Sequence, residues 1–234
     1  MPEEINRVVT DSISKWFFTT SESANQNLRR AGIDSKRIFF VGNTMIDMLL
    51  KYIDKLRPPN FWGDLNLKVK KYLVLTLHRP ANVDSCENLV SLLQTISESA
   101  ADMLIVFPMH PRTAKIMKGQ KLVTPNIYFV EPLGYLEFNF LVKNAKAVIT
   151  DSGGVSEETT VMGVPCMTLR NNTERPETIT IGTNELIGTN PKNILPALNR
   201  LRKGEWKKGA IPDKWDGKAA GRIIIELEKL LIQP

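Results

Sequence analysis

Two histidines, a glycine pair and several arginines are the residues of this chain best suited to chemistry, and they cluster in a regular way. His78 and Arg79 directly follow the apolar run 72–77, and His110 follows the run 103–107. Asp151-Ser152-Gly153-Gly154 follows the run 147–150, and the stretch from Arg170 to Arg175 follows the run 166–169. Each cluster stands where a strand would end, and open parallel sheets bind ligands beyond the carboxyl ends of their strands. A rim of imidazole and guanidinium groups there suits phosphate. Gly153 and Gly154 lack Cβ atoms, so backbone N–H groups can approach an anion closely. A helix starting near Val155 adds unsatisfied donors and a positive dipole end. Glu157 and Glu158, one turn in, can accept from two ribose hydroxyls, and Arg175 can supply a charge-assisted fork. The sum is a nucleotide diphosphate pocket. Taken alone, Ser152-Gly153-Gly154 fits a tight strand-to-helix turn equally well. A lone histidine is commonly structural, but a strand exit followed by Arg79 favours a functional His78; His110 stays open between the two.

The elements that must position these residues are legible from periodicity. Residues 3–14 carry Ile5, Val8, Val9 and Ile13 at helical spacing. A strand at 16–20, a helix at 21–31 stopped by Gly32, a strand at 38–41 and a helix from 44 to 56 follow. Pro58-Pro59-Asn60 breaks the pattern, and 61–71 reads as a linker. Strands at 72–77, 103–107, 127–130, 147–150 and 166–169 then alternate with helices at 86–100, 113–118, 135–144 and 155–162, and a helix at 219–231 ends the chain. The second of these helices has Gly119 as a stop, and the first carries a capping box, Asp84 with Glu87. Such alternation predicts an α/β fold: one complete doubly wound parallel-sheet domain preceded by the tail of another. The boundaries read as 1–57 for the remnant of a first Rossmann-like domain with its connecting helix, 58–212 for the complete domain, and 213–234 for a helix returning to the first. Two strands make no stable sheet domain alone, so the strands at 16–20 and 37–41 and the last helix should expose apolar surface and drive association.

Composition narrows the class. The 234 residues are 42% hydrophobic and 24% charged, which excludes a disordered chain. No apolar run reaches the length of a membrane span, and the acidic start is unlike a secretory signal. Two cysteines, Cys86 and Cys166, provide neither a disulfide framework nor zinc spacing; a reduced, cytoplasmic protein is expected, with Cys166 buried in a strand. The net charge of +6 is concentrated between residues 191 and 218, where eight basic residues face three acidic ones. No interleaved aromatics or nucleic-acid motif accompany them, so a solvated helix face is expected and no nucleic-acid or membrane partner. Asp-Ser-Gly-Gly also surrounds the nucleophile of trypsin-like proteases, but those are all-β proteins and no triad spacing is present here.

Read together, Met1-Pro-Glu-Glu-Ile-Asn-Arg7, Val41-Gly-Asn-Thr44, Leu77-His-Arg79 with Asn82, His110-Pro-Arg-Thr113, Asp151-Ser-Gly-Gly-Val-Ser-Glu-Glu158, Gly163-Val-Pro165 and Thr173-Glu-Arg-Pro-Glu177 resemble the non-hydrolysing UDP-N-acetylglucosamine 2-epimerases in their archaeal form. The motifs run in family order from residue 1 to about 225. The resemblance implies a GT-B-like fold with an interdomain active site. It implies interconversion of UDP-N-acetylglucosamine and UDP-N-acetylmannosamine without a cofactor or a metal, through elimination of UDP to a 2-acetamidoglucal and its re-addition. By motif position it assigns catalysis to Glu3 and His78. Substrate binding falls to Arg7, His78, Phe138, Ser152, Gly153, Gly154, Glu158 and Arg175, with Ser152 to Gly154 on the diphosphate, Glu158 on the ribose, Arg175 in the phosphate region and Phe138 near the uracil. His110 would belong to a second sugar-nucleotide site.

The chain departs from the pattern as well. It starts where the family's first domain is nearly complete, Ser12 stands at a usual histidine, Ala81 at a glutamate, Ser156 at a glutamine, and Leu133 where some members have glutamine. The expectation is therefore a UDP-binding carboxy-terminal portion that works as a homo-oligomer or with a separately encoded N-terminal half. The alternatives are the donor half of a split GT-B glycosyltransferase and a non-catalytic UDP-sugar-binding protein.

Overall fold

The computed structural model describes residues 2–109, 111–117 and 124–232. The chain divides into two compact units, residues 1–51 with 212–234, and residues 52–211.

The first unit contains α1 (Pro2–Ile13), β1 (Phe17–Thr19), α2 (Glu22–Arg30), β2 (Ile38–Phe40) and α3 (Thr44–Tyr52). The two strands pair in parallel, Phe17 opposite Ile38, so α2 is the crossover between them. Ser21 caps α2 by accepting from the Ala24 amide, Glu22 opens the helix and Arg29 and Arg30 close it, matching its dipole. Gly32 follows at φ +85°. The end of the chain is fastened to the same unit. Asp47 on α3 accepts from the Ala219 and Ala220 amides at 3.0 and 2.7 Å, supplying the cap for the terminal helix. Trp215, 1% exposed, donates to the Thr20 carbonyl. Gly42 (φ +100°) has the Lys214 carbonyl oxygen 2.0 Å from where a Cβ would sit, so no other residue fits there. The apolar surface that this unit exposes lies mainly on helices. Phe17 is buried and β2 half-buried, whereas Ile5, Val8, Val9 and Ile13 of α1 are more than half exposed.

The second unit runs β3 (Tyr72–Thr76), α4 (Pro80–Val83), α5 (Cys86–Ala100), β4 (Leu104–Pro108), α6 (Pro111–Met117), β5 (Ile127–Val130), α7 (Tyr135–Asn144), β6 (Ala147–Thr150), α8 (Gly153–Val161), β7 (Cys166–Thr168), α9 (Pro176–Thr180), β8 (Asn184–Leu186) and α10 (Ile194–Arg202). Helix α11 (Ala219–Ile232), in the first unit, ends the chain. The strands form one parallel sheet in the order β5-β4-β3-β6-β7-β8. Period-two alternation explains the two cores. Leu73, Leu75, Ile105, Phe107 and Ile149 face a cluster completed by α5 and α10, whereas Tyr72, Val74, Val106 and Val148 face one completed by α7. The expected α/β, doubly wound, GT-B-like class is thus present, as one complete sheet unit and a smaller two-stranded one.

Local details differ from the sequence reading. Ser85, not Asp84, caps α5, accepting from the Asn88 amide at 3.3 Å. The expected long helix after residue 44 leaves the α conformation at Tyr52. The basic stretch is partly an amphipathic helix, α10, whose Ile194, Ala197, Leu198 and Leu201 are buried beneath its arginines. Gly119 lies outside the described residues. Cys166 is fully buried, and burial pushes its thiol up to about 11.

Candidate functional site

Sheet order reverses between β3 and β6, which lead to β4 on one side and β7 on the other. Loops leaving adjacent strands diverge at such a switch point and open a crevice for ligand. At the strand ends, the Thr76 and Thr150 hydroxyls hydrogen-bond at 2.6 Å. Immediately beyond them stands Asp151, with none of its surface exposed. Its carboxylate accepts from the His78 amide (3.1 Å), the Arg79 amide (2.9 Å) and the Asn82 side chain (3.0 Å). His78 Nδ1 lies 2.8 Å from Asp151 Oδ1. Burial works to raise the Asp151 pKa, but the bonds from His78, Asn82 and Arg79 outweigh it and hold the carboxyl below its ordinary value. Asp151 therefore ties the β3 exit to the β6 exit and orients the imidazole. With Nδ1 turned to Asp151, Nε2 is the nitrogen left to face a ligand, on a side chain 47% exposed.

Helix α8 begins two residues earlier than its sequence suggests, so Gly153 and Gly154 are its first residues and Ser152 its N-cap. Ser152 makes no side-chain cap bond, which leaves the leading amides uncovered by their own cap. A Cβ built on Gly153 meets nothing within 4 Å. The glycine is not demanded by packing. Open space beside a positive helix end is what an incoming anion requires.

The two glutamates of α8 take different roles. Glu157, 1% exposed, lies 2.5 Å from Arg175 Nε. Glu158, 5% exposed, accepts from the Tyr135 hydroxyl at 3.0 Å and the Asn139 side-chain amide at 3.4 Å. Burial raises the Glu158 pKa, against the lowering effect of those donors and with Glu157 adding to the rise. Phe138, between Tyr135 and Asn139 on α7, packs half-buried on the apolar cluster of that sheet face. Arg170 forks onto Glu174 at 2.6 and 2.9 Å and holds that carboxyl down to about 2. Arg79 Nε is buried with no hydrogen-bond partner among the described residues.

His78, Phe138, Ser152, Gly153, Gly154, Glu158 and Arg175 thus all belong to the larger unit, most of them at the carboxyl end of its sheet. Glu3 lies in the first turn of α1, in the other unit. Arg7, on the same helix, is held by Glu4 and Asp11, each at 2.5 Å. His110 lies outside the described residues. The sequence places Asp151 at a strand exit but assigns it no role, and Tyr135 and Asn139 are not among its candidate residues. The available signals were an acid at a strand exit and a donor pair four residues apart on one helix.

A helix N-terminus without a side-chain cap at the switch point of a doubly wound sheet is where such folds take their ligands. Comparison with known proteins makes this specific. The family model described as UDP-N-acetylglucosamine 2-epimerase matches residues 1–228, and the chain belongs to that family. The UDP-N-acetylglucosamine 2-epimerase of Methanocaldococcus jannaschii is 42% identical over 238 residues, covering 96% of this chain and 63% of the relative. A crystal structure of the M. jannaschii UDP-GlcNAc 2-epimerase in complex with UDP-GlcNAc and UDP matches with a TM-score of 0.81 at 42% identity, covering 97% of this chain and 65% of that one. An S. aureus MnaA–UDP co-structure matches at 0.86 with 28% identity, covering 99% and 65%. The chain spans less than two thirds of the length of these relatives.

Proposed function

We propose that this chain is the UDP-binding portion of an enzyme that interconverts UDP-N-acetylglucosamine and UDP-N-acetylmannosamine without a cofactor. The supporting observation is the start of α8: no side-chain cap, open space beside Gly153, and a position where the strand order reverses. Ser152, Gly153 and Gly154 hold the diphosphate there, Arg175 adds positive charge, Glu158 accepts from the ribose and Phe138 flanks the uracil. His78 donates from Nε2, when protonated, to the diphosphate oxygen on which charge collects as the C1–O bond breaks. In that step a carboxylate takes the C2 proton, the C–H electrons form the C1=C2 bond of a 2-acetamidoglucal, and the C1–O electrons leave with UDP. Return of a proton to the opposite face and re-addition of UDP give the epimer. Motif position alone assigns the carboxylate role to Glu3 and a substrate contact to Arg7.

The working form is an assembly, of copies of this chain or with a partner, that covers the apolar residues of α1. The exposed apolar residues of α1 support this. A cytoplasmic setting suits the two free cysteines. Among the described residues no helix is long and apolar enough to cross a membrane. Calorimetric titration with UDP, followed by incubation with UDP-N-acetylglucosamine under NMR, tests the proposal. Saturable UDP binding and formation of the manno epimer or the glucal, with no acceptor present, is the expected result. Failure to bind UDP at millimolar concentration overturns the reading, and turnover only with an added acceptor makes the protein a glycosyltransferase.

A further inference from the structure

Building on the reading that Glu158 receives the ribose, we propose that Tyr135 and Asn139 are positioning residues that fix the Glu158 carboxylate and thereby select ribose over 2′-deoxyribose. Residues four apart on a helix share one face, and this pair reaches from α7 to a single atom of α8. The Tyr135 hydroxyl and the Asn139 amide both donate to Glu158 Oε1. Oε2 has no hydrogen-bond partner among the described residues, so the carboxylate is held by one oxygen and presents the other.

Two further observations separate this arrangement from ordinary packing. Among the described residues no cation pairs with Glu158, since Arg175 is directed to the neighbouring Glu157. A buried carboxylate without a cation is costly unless its bonding capacity is used. Asn139 is also fully buried, and its Oδ1 has no hydrogen-bond partner among the described residues. Leucine would fill that volume without stranding an acceptor, so the side chain contributes through its donor. A site built to bond a hydroxyl discriminates strongly against the analogue lacking it, because its own polar group is then left unpaired.

The experiment is calorimetric titration of the full chain, wild type and Tyr135→Phe, with UDP and with 2′-deoxy-UDP. Tyr135 is 40% exposed, and the substitution keeps its ring. Wild type is expected to prefer UDP by about 10- to 100-fold, the range for a hydrogen bond to a charged group. Tyr135→Phe should weaken UDP binding and bring the ratio close to one while leaving 2′-deoxy-UDP nearly unchanged. Asn139→Leu is read in the same way, with a smaller fall that follows its longer bond. Equal loss for both ligands, or an unchanged ratio in both variants, overturns the positioning role and leaves the ribose reading intact. A wild type that binds both ligands alike removes the contact to the 2′-hydroxyl, and the proposal with it.

Discussion

In the larger unit, the central strand β3 buries Leu73, Val74 and Leu75 completely, with helices closing over both faces of its sheet. In the smaller unit, α1 leaves Val8 52% and Ile13 81% exposed, and α11 leaves Ile232 79% exposed. The same apolar residue types therefore meet two fates. The six-stranded sheet can hold a site rigid because every strand end is anchored on its neighbours. The two-stranded unit holds Glu3 and Arg7 on a helix whose apolar side no described element covers. Nucleotide binding should consequently be a property of the larger unit alone, whereas chemistry that needs Glu3 should depend on what covers α1.

The contrast can be broken first at the core. Leu75→Ala should cost about 2–5 kcal/mol in denaturant unfolding. An effect no larger than that of a surface substitution would mean that the larger unit is not the stable body described. Asp151→Asn comes next. It should lower stability by about 1.5–3 kcal/mol, the range for hydrogen bonds to a charged group. It should also flatten the acid limb of the stability curve. A carboxyl held below its ordinary pKa contributes stability that is complete above its unfolded value and disappears as pH falls through the folded one.

Gly153→Ala separates folding from binding. The open space beside Gly153 and the better helix propensity of alanine predict unchanged or higher stability, by up to about 1 kcal/mol. UDP affinity should fall by roughly tenfold or more, the loss of about one charge-assisted hydrogen bond. Affinity that survives would make the turn an ordinary connection. Glu158→Gln acts in the opposite sense to Asp151→Asn on stability. Because burial raises the Glu158 pKa, the folded state binds more protons between the unfolded and folded values, and stability falls as pH rises through that window. The glutamine variant should lose this slope and gain stability at neutral pH while binding UDP less tightly. Val8→Ser on α1 should change stability by less than about 0.5 kcal/mol. Its measurable consequence should be a smaller particle in light scattering.

Local periodicity carried most of the architecture. The run at β3, the crossover through α2 and the glycine pair after β6 are all visible to a reader of spacing alone. The shortest elements were not. Asn184–Leu186 has three residues and no apolar alternation, so only its pairing with β7 makes it a strand. Helix α9 has five residues, starting at a proline. The site divides in the same way. Ser152 to Gly154 form a contiguous signal, but Asp151 meets His78, Arg79 and Asn82 across 69 to 73 residues of chain. The capping box failed by one residue because Asp84 and Ser85 are both good caps, and backbone geometry selected the serine.

The leading amides of α8 are expected to take the diphosphate of a uridine nucleotide, and titration of UDP into isotope-labelled chain under backbone-amide NMR reads those amides one by one. Saturable shifts that are largest at Ser152, Gly153 and Gly154, and absent in Gly153→Ala, are the predicted result. Saturable binding that leaves those three amides unmoved would contradict it.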